Sequence, residues 1–217
     1  MKQITFYTIA IFFLLFVTGC VVGRKLSFDN STSDLSYTPS GKIAIVFQDK
    51  REQILSGAEK QSFCGHMYAG YAIAYNVQTE SGNPVAEDFA KSIQKTLSQK
   101  NVLSNTFNIA PTGDMIELMK QFQQSGYDKL LLFTINRWES RCTALFSKMR
   151  YETNAYFTLQ VIDKNANTLA SQEVKDILVR EQGAGASVKV LQSVADECFK
   201  KQMQDLLNND KIQAVLQ

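Results

Sequence analysis

The side chains able to do chemistry are few and scattered. There are four cysteines, Cys20, Cys64, Cys142 and Cys198, and one histidine, His66. Cys64-x-His66 offers either two ligands to a transition metal or a thiol beside a base. A metal site usually needs three or four such groups, and no second Cys/His cluster accompanies this pair. A nucleophilic thiol would also need a lowered pKa and an orienting third group, neither of which the stretch displays. The histidine is therefore expected in a loop, with no metal and no cofactor. The G-x-S-x-G, H-E-x-x-H and EF-hand patterns are absent. "GAGAS" (Gly183 to Ser187) lacks the lysine-hydroxyl ending of a phosphate loop and suits a flexible helix entry. The chain is expected to be non-catalytic.

Cys20 stands apart from the other three. Lys2 supplies a positive start, and Ile4 to Val17 is almost unbroken apolar sequence. That run is shorter than the ~20 residues of a membrane span and has the length of a secretory leader's hydrophobic region. It ends Val17-Thr18-Gly19-Cys20, which resembles the bacterial lipobox. There the thiol is diacylated, the leader is cut before it, and the new amino terminus is acylated. The expected layout is a lipoprotein signal peptide over 1–19, N-acyl diacylglyceryl Cys20 with a flexible tether over 20–41, and a single α/β domain over 42–217. The tether "SFDNSTSDLSYTPSG" is too polar to fold alone. One acyl chain binds a membrane only marginally and stable anchoring takes two, so a triacylated Cys20 would remain there. In enterobacterial lipoproteins, which this leader resembles, Asp after the cysteine retains the protein in the inner membrane. Val21 and Val22 therefore point to the periplasmic face of the outer membrane.

The remaining chain suits one compact domain. Its 23 basic and 21 acidic residues nearly balance, and no basic stripe appears, which argues against nucleic acid as a partner.

Several elements must position these groups. "KIAIVFQ" (Lys42 to Gln48) and "KLLLFTI" (Lys129 to Ile135) read as buried strands. "NPVAEDFAKSIQKTLSQKN" is an amphipathic helix with Pro84 in its first turn and Glu87 and Asp88 against its dipole. "TFNIAP" is a weak strand, and "GDMIELMKQFQQSG" a second helix with Met115, Met119 and Phe122 on one stripe. "YETNAYFTLQVID" alternates as a half-buried antiparallel strand and "TLASQEVKDILVR" returns beside it. A last helix runs from Ser187 to Leu207. The fold class is α/β: an open mixed sheet with a β-α-β-α-β start, an antiparallel hairpin and a C-terminal helix, forming a two-layer sandwich.

In the common strand order 2-1-3 the first and third strands are neighbours. Cys64 and Cys142 follow them, so a Cys64–Cys142 disulfide is expected, with Cys198 a buried free thiol. "HMYAGYAIAYN" interleaves Tyr68, Tyr71 and Tyr75 with small residues, either as a contact surface or as a hairpin or extended strand facing the domain's own core. Ligands of open α/β sheets favour the carboxyl ends of strands. Asp49, Arg51, Tyr68, Tyr71, Arg137 and Trp138 are accordingly the candidate partner-binding residues.

"IAIVFQDKRE", the Gly/Tyr-rich stretch, "EDFAKSIQKTL" and "SGYDKLLLFTINRW" together resemble the YajG-like family. More distantly they are similar to lipoprotein activators of penicillin-binding proteins, whose domain is like the amino-terminal domain of TolB. The resemblance implies a non-catalytic envelope lipoprotein that serves as an adaptor or activator for another envelope protein. Two other roles stay open: a glycan- or small-ligand-binding lipoprotein, and a structural subunit of an oligomeric secretion or envelope apparatus.

Overall fold

The computed structural model describes residues 24–69, 73–183 and 185–217; Cys20 and Tyr71 lie outside them. Strand β1 is Lys25–Leu26, β2 Ile43–Asp49, β3 Phe63–Ala69, β4 Ile73–Thr79, β5 Ser104–Thr106, β6 Lys129–Ala144, β7 Met149–Asp163 and β8 Thr168–Gln182. The helices are α1 Glu52–Leu55, α2 Val85–Ser98, α3 Met115–Gln124, α4 Val188–Leu207 and α5 Asp210–Leu216.

Parallel pairing of β2 with β6, from Ile43 opposite Lys129 to Asp49 opposite Ile135, and of β2 with β5 gives the expected 2-1-3 order. All seven residues of β2 are buried, because helices cover both faces here. Ile43, Ile45 and Phe47 meet Val85, Phe89, Ala90, Ile93 and Leu97 of α2. Ala44, Val46, Leu130 and Leu132 meet Leu118 and Phe122 of α3 on the other face. A continuous apolar run is what such two-sided burial demands. Asp114 caps α3, accepting from the Ile116 N–H at 2.8 Å.

Beyond this corner the sheet is covered once. β6 continues well past Ile135 and pairs with β7 antiparallel along its whole length, and β8 follows β7. Tyr151, Ala155, Phe157, Leu159 and Val161 of β7 face α4 and α5 in the same core as α2. The intervening β7 residues face solvent, the alternation expected of a strand with one dry side. The architecture is thus an open mixed α/β sheet of two layers, with α3 as a third layer over one corner.

At the centre of the core, Phe89 lies 4.3 Å from Phe199, 4.8 Å from Phe28 and 4.9 Å from Trp138, centroid to centroid. Phe28 belongs to the segment expected to be a tether. Leu26, Phe28, Leu35 and Tyr37 are all buried. The Tyr37 hydroxyl donates to the Leu207 carbonyl at 2.9 Å, and Ser31 Oγ donates to Asp196 at 2.6 Å. From residue 24 onward the expected flexible tether is instead part of the domain.

The Gly/Tyr-rich stretch forms the antiparallel hairpin β3–β4, with β1 parallel on its outer edge. β3 pairs parallel with the second half of β6, Gly65 opposite Ser140 and Met67 opposite Cys142. This register corrects the expected disulfide: Cys64 and Cys142 are free, buried thiols. Both face the main core, but the pairing sets Cys142 beside Met67, three positions on from Cys64. That offset is about 10 Å along a strand, beyond the ~7 Å limit for bridged Cα atoms. Cys198 is also free and buried, as expected.

Candidate functional site

β6 offers one edge to two strands in succession, first β2 and then β3. The gap between them is filled by a side chain. Arg51 Nε and Nη2 donate to the two oxygens of Asp49 at 2.9 and 2.6 Å. Its Nη1 donates to the carbonyls of Phe63, at 2.6 Å, and Trp138, at 3.3 Å. Arg51 thus ties the end of β2, the start of β3 and the middle of β6 together. Asp49 and Arg51 are 2% and 1% exposed, and Trp138 is wholly buried in the aromatic core. Its indole N–H finds no acceptor among the described residues. Three of the expected partner-binding residues are therefore structural, and the correction has a simple cause: the carboxyl end of β2 is roofed by the β3 hairpin.

Close approach at the same junction requires glycine. Gly65 has φ +147°, and a Cβ there would stand 1.8 Å from the Ser140 carbonyl oxygen. The register shifts between Phe63 and Gly65. Cys64 thereby faces the core while His66 faces out, which separates the Cys-x-His pair.

The uncovered face of the sheet is built from the polar positions of the alternating strands. Asn76, His66, Arg141, Glu152 and Val179 stand side by side on β4, β3, β6, β7 and β8. The next row holds Glu139, Asn154 and Ile177, and the one after it Arg137, Tyr156 and Lys175. Glu139 Oε1 accepts from Arg141 at 2.8 Å and lies 3.3 Å from His66 Nδ1. Burial opposes ionisation of Glu139, but the hydrogen bonds and charges of Arg141 and His66 outweigh it and hold the carboxyl below its ordinary range. Arg150 pairs with Glu152 at 3.1 Å. Arg137 is exposed and makes no ion pair among the described residues.

A cleft of about 430 Å³ opens on this face where α1 overhangs it. Glu52, Glu139 and Glu152 line it with Arg137 and Arg141. It can grip a partner bearing both signs of charge, with Arg137 the guanidinium not already engaged. A wider groove of about 660 Å³ runs along the outer side of α4. There Glu197 pairs with Arg180 and Lys201 with Asp176, while Lys189, Asp196 and Lys200 make no ion pair among the described residues.

Of the expected site residues, Arg137 lines the cleft and Tyr68 lies half-buried on the same face, its ring 6.0 Å from that of His66. Glu139, Arg141, Glu152 and Asn154 were not expected. Their signal was present: once β6 is extended through "NRWESRC", period two puts Arg137, Glu139 and Arg141 on one face. Among the described residues no group of three or more His, Cys, Asp or Glu side chains is placed to hold a metal, and no helix is long and apolar enough to cross a membrane.

No protein-family model and no curated protein matches the sequence. Among solved structures, the chain is similar to a Helicobacter pylori homologue of a neuraminyllactose-binding hemagglutinin, at 12% identity over 86% of this chain and 97% of that one, TM-score 0.43. It is also similar to the lipoprotein GNA1162 of Neisseria meningitidis, at 13% identity over 75% and 97%, TM-score 0.30. A third is the hypothetical protein CT253 of Chlamydia trachomatis, at 10% identity over 77% and 98%, TM-score 0.35. Similarity at this level carries no argument about what the chain does.

Proposed function

We propose that this protein is a lipid-anchored, non-catalytic envelope lipoprotein, held through Cys20 at the periplasmic face of the outer membrane, which docks another envelope protein on the open face of its sheet. The observation that supports this reading is the uncovered half of β6, β7 and β8, with the α1 cleft at its middle and Arg137 there in no ion pair among the described residues. An anchor confines both partners to a thin layer, so a modest polar contact suffices at the resulting local concentration. The exposed Ile177 and Val179 on β8 supply apolar area at the margin of the charged rows.

The test is site-specific photo-crosslinking in cells, with the photoreactive residue at Lys175 on the open face or at Asp205 on α4. The reading predicts one discrete protein adduct from Lys175, none from Asp205, and loss of the adduct in Arg137→Glu. Equal adducts from both positions, or an adduct indifferent to Arg137→Glu, would overturn it. The size of the cleft supports a second reading, since small-ligand sites run from about 300 to 1,000 Å³. A glycan or small ligand carrying charge would then bind saturably to the purified chain, with Arg137→Glu abolishing binding and no protein adduct forming.

A further inference from the structure

Two of the sheet's hairpins share one end. β3 and β6 run parallel and finish level with each other, so the end of β3, the start of β4 and the β6–β7 turn lie at the same end of the sheet. The β6–β7 turn carries Leu145 and Phe146, and Phe146 is fully exposed. Ile73, at the start of β4 and two strands across from β6, is half exposed at the same end. A free-standing phenylalanine on a turn gains nothing from the domain's own core. Behind these tips Lys148 pairs with Glu181 and Arg150 with Glu152, while Arg24 and Lys25 stand further back at the start of β1. Arg24 lies over the Tyr75 ring, 3.5 Å from its centroid.

The direction of the chain supplies the second argument. β1 is parallel to β4, with Lys25 opposite Gln78 and Leu26 opposite Thr79. Followed backwards, β1 therefore points towards the Ile73 end of β4. Cys20 is four residues before Arg24 and can stand no more than about 14 Å from it. Ile73 lies about 13 Å from the level of Arg24 along the strand, and the β6–β7 turn about 14 Å to the side at three strand spacings.

We infer that this end of the sheet faces the bilayer, and that Phe146, Leu145 and Ile73 insert into the interface of the membrane that holds the acyl chains of Cys20, with Arg24 and Lys25 on the side of its anionic headgroups. The inference rests on the lipidated Cys20 of the proposed function. It adds an orientation: the strands stand along the membrane normal. The β7–β8 turn at Asn165 is then about 50 Å from the surface, fifteen residues at 3.3 Å each. The open face is presented sideways to neighbours in the same membrane.

The test uses the full chain, purified from bacterial membranes and reconstituted in phosphatidylethanolamine–phosphatidylglycerol vesicles with brominated acyl chains. Phe146→Trp reports the tip and Asn165→Trp the far turn, each read against the buried Trp138 of the unsubstituted protein. The orientation predicts that emission from position 146 is mostly lost in brominated vesicles while that from position 165 is unchanged. Quenching at neither position, in protein that floats with the vesicles and is released by Cys20→Ser, would overturn the inserted tips and leave the anchor standing. Quenching at 165 but not 146 would invert the orientation and also overturn it. Protein that fails to float, with Cys20→Ser behaving identically, would overturn the anchor and the inserted tips together.

Discussion

Two halves of one strand, β6, have opposite surroundings. From Lys129 to Ile135 it lies between β2 and β7 with α2 on one side and α3 on the other, and its sequence is almost wholly apolar. From Arg137 to Ala144 only one face is covered, and charged residues alternate with Trp138, Ser140 and Cys142. The first half holds the fold together. The second holds it together on one side and presents a surface on the other. Seen this way, the site is the polar side of a structural strand whose second layer was never added.

The sharpest way to break the comparison is to damage the closed side. Phe89→Ala removes the ring that touches Phe28, Phe47, Trp138, Phe157 and Phe199. Urea unfolding should show a loss of about 3–5 kcal/mol, with the whole sheet affected.

Nearly as large is the effect expected at the junction of the two halves. Arg51→Met leaves Asp49 buried without its partner and should cost about 3–5 kcal/mol. The double variant Asp49→Leu, Arg51→Met should regain much of that loss, because two apolar side chains leave no orphaned charge. A double variant no better than Arg51→Met would show that the bonds from Arg51 to Phe63 and Trp138 matter more than the charge.

A smaller, pH-dependent effect distinguishes the sides chemically. Burial pushes the Cys198 thiol up to about 12 and raises Cys64 further. The folded state therefore favours the protonated thiols. Their contribution is fully present below the unfolded value near 8.5 and is lost as pH rises towards the folded values. A thiol reagent at pH 8 should leave Cys64 and Cys198 unmodified in the native protein and modify both in urea. Glu139, on the open side, has the opposite sign: its lowered pKa adds stability above the usual glutamate range of about 4.3, lost as pH falls through the folded value.

What the sequence revealed follows the same division. The helices α2, α3 and α4 and the strands β2, β6, β7 and β8 announce themselves by period, and their order already specifies the 2-1-3 core. The amino-terminal segment did not, because Leu26, Phe28, Leu35 and Tyr37 are spaced irregularly among serines and aspartates. Its buried polar groups are satisfied by partners some 165 residues away, such as Ser31 on Asp196. Asp49 and Arg51 read as partner-binding residues because nothing local says that β3 will return to share the edge of β6 with β2. Arg137 was legible as a candidate, and Glu139 and Arg141 share its face once β6 is extended, but Glu152 and Asn154 become their neighbours only through the β6–β7 register.

The most direct measurement pairs stability with docking in a single variant, Arg137→Glu. Arg137 is exposed and makes no ion pair among the described residues, so its unfolding free energy should stay within about 0.5 kcal/mol of the parent. The photo-adduct from Lys175 should nonetheless disappear. A retained adduct would contradict the account, and so would an adduct lost only in step with a large drop in stability. In either case the uncovered face would be no more than the outer surface of a structural sheet.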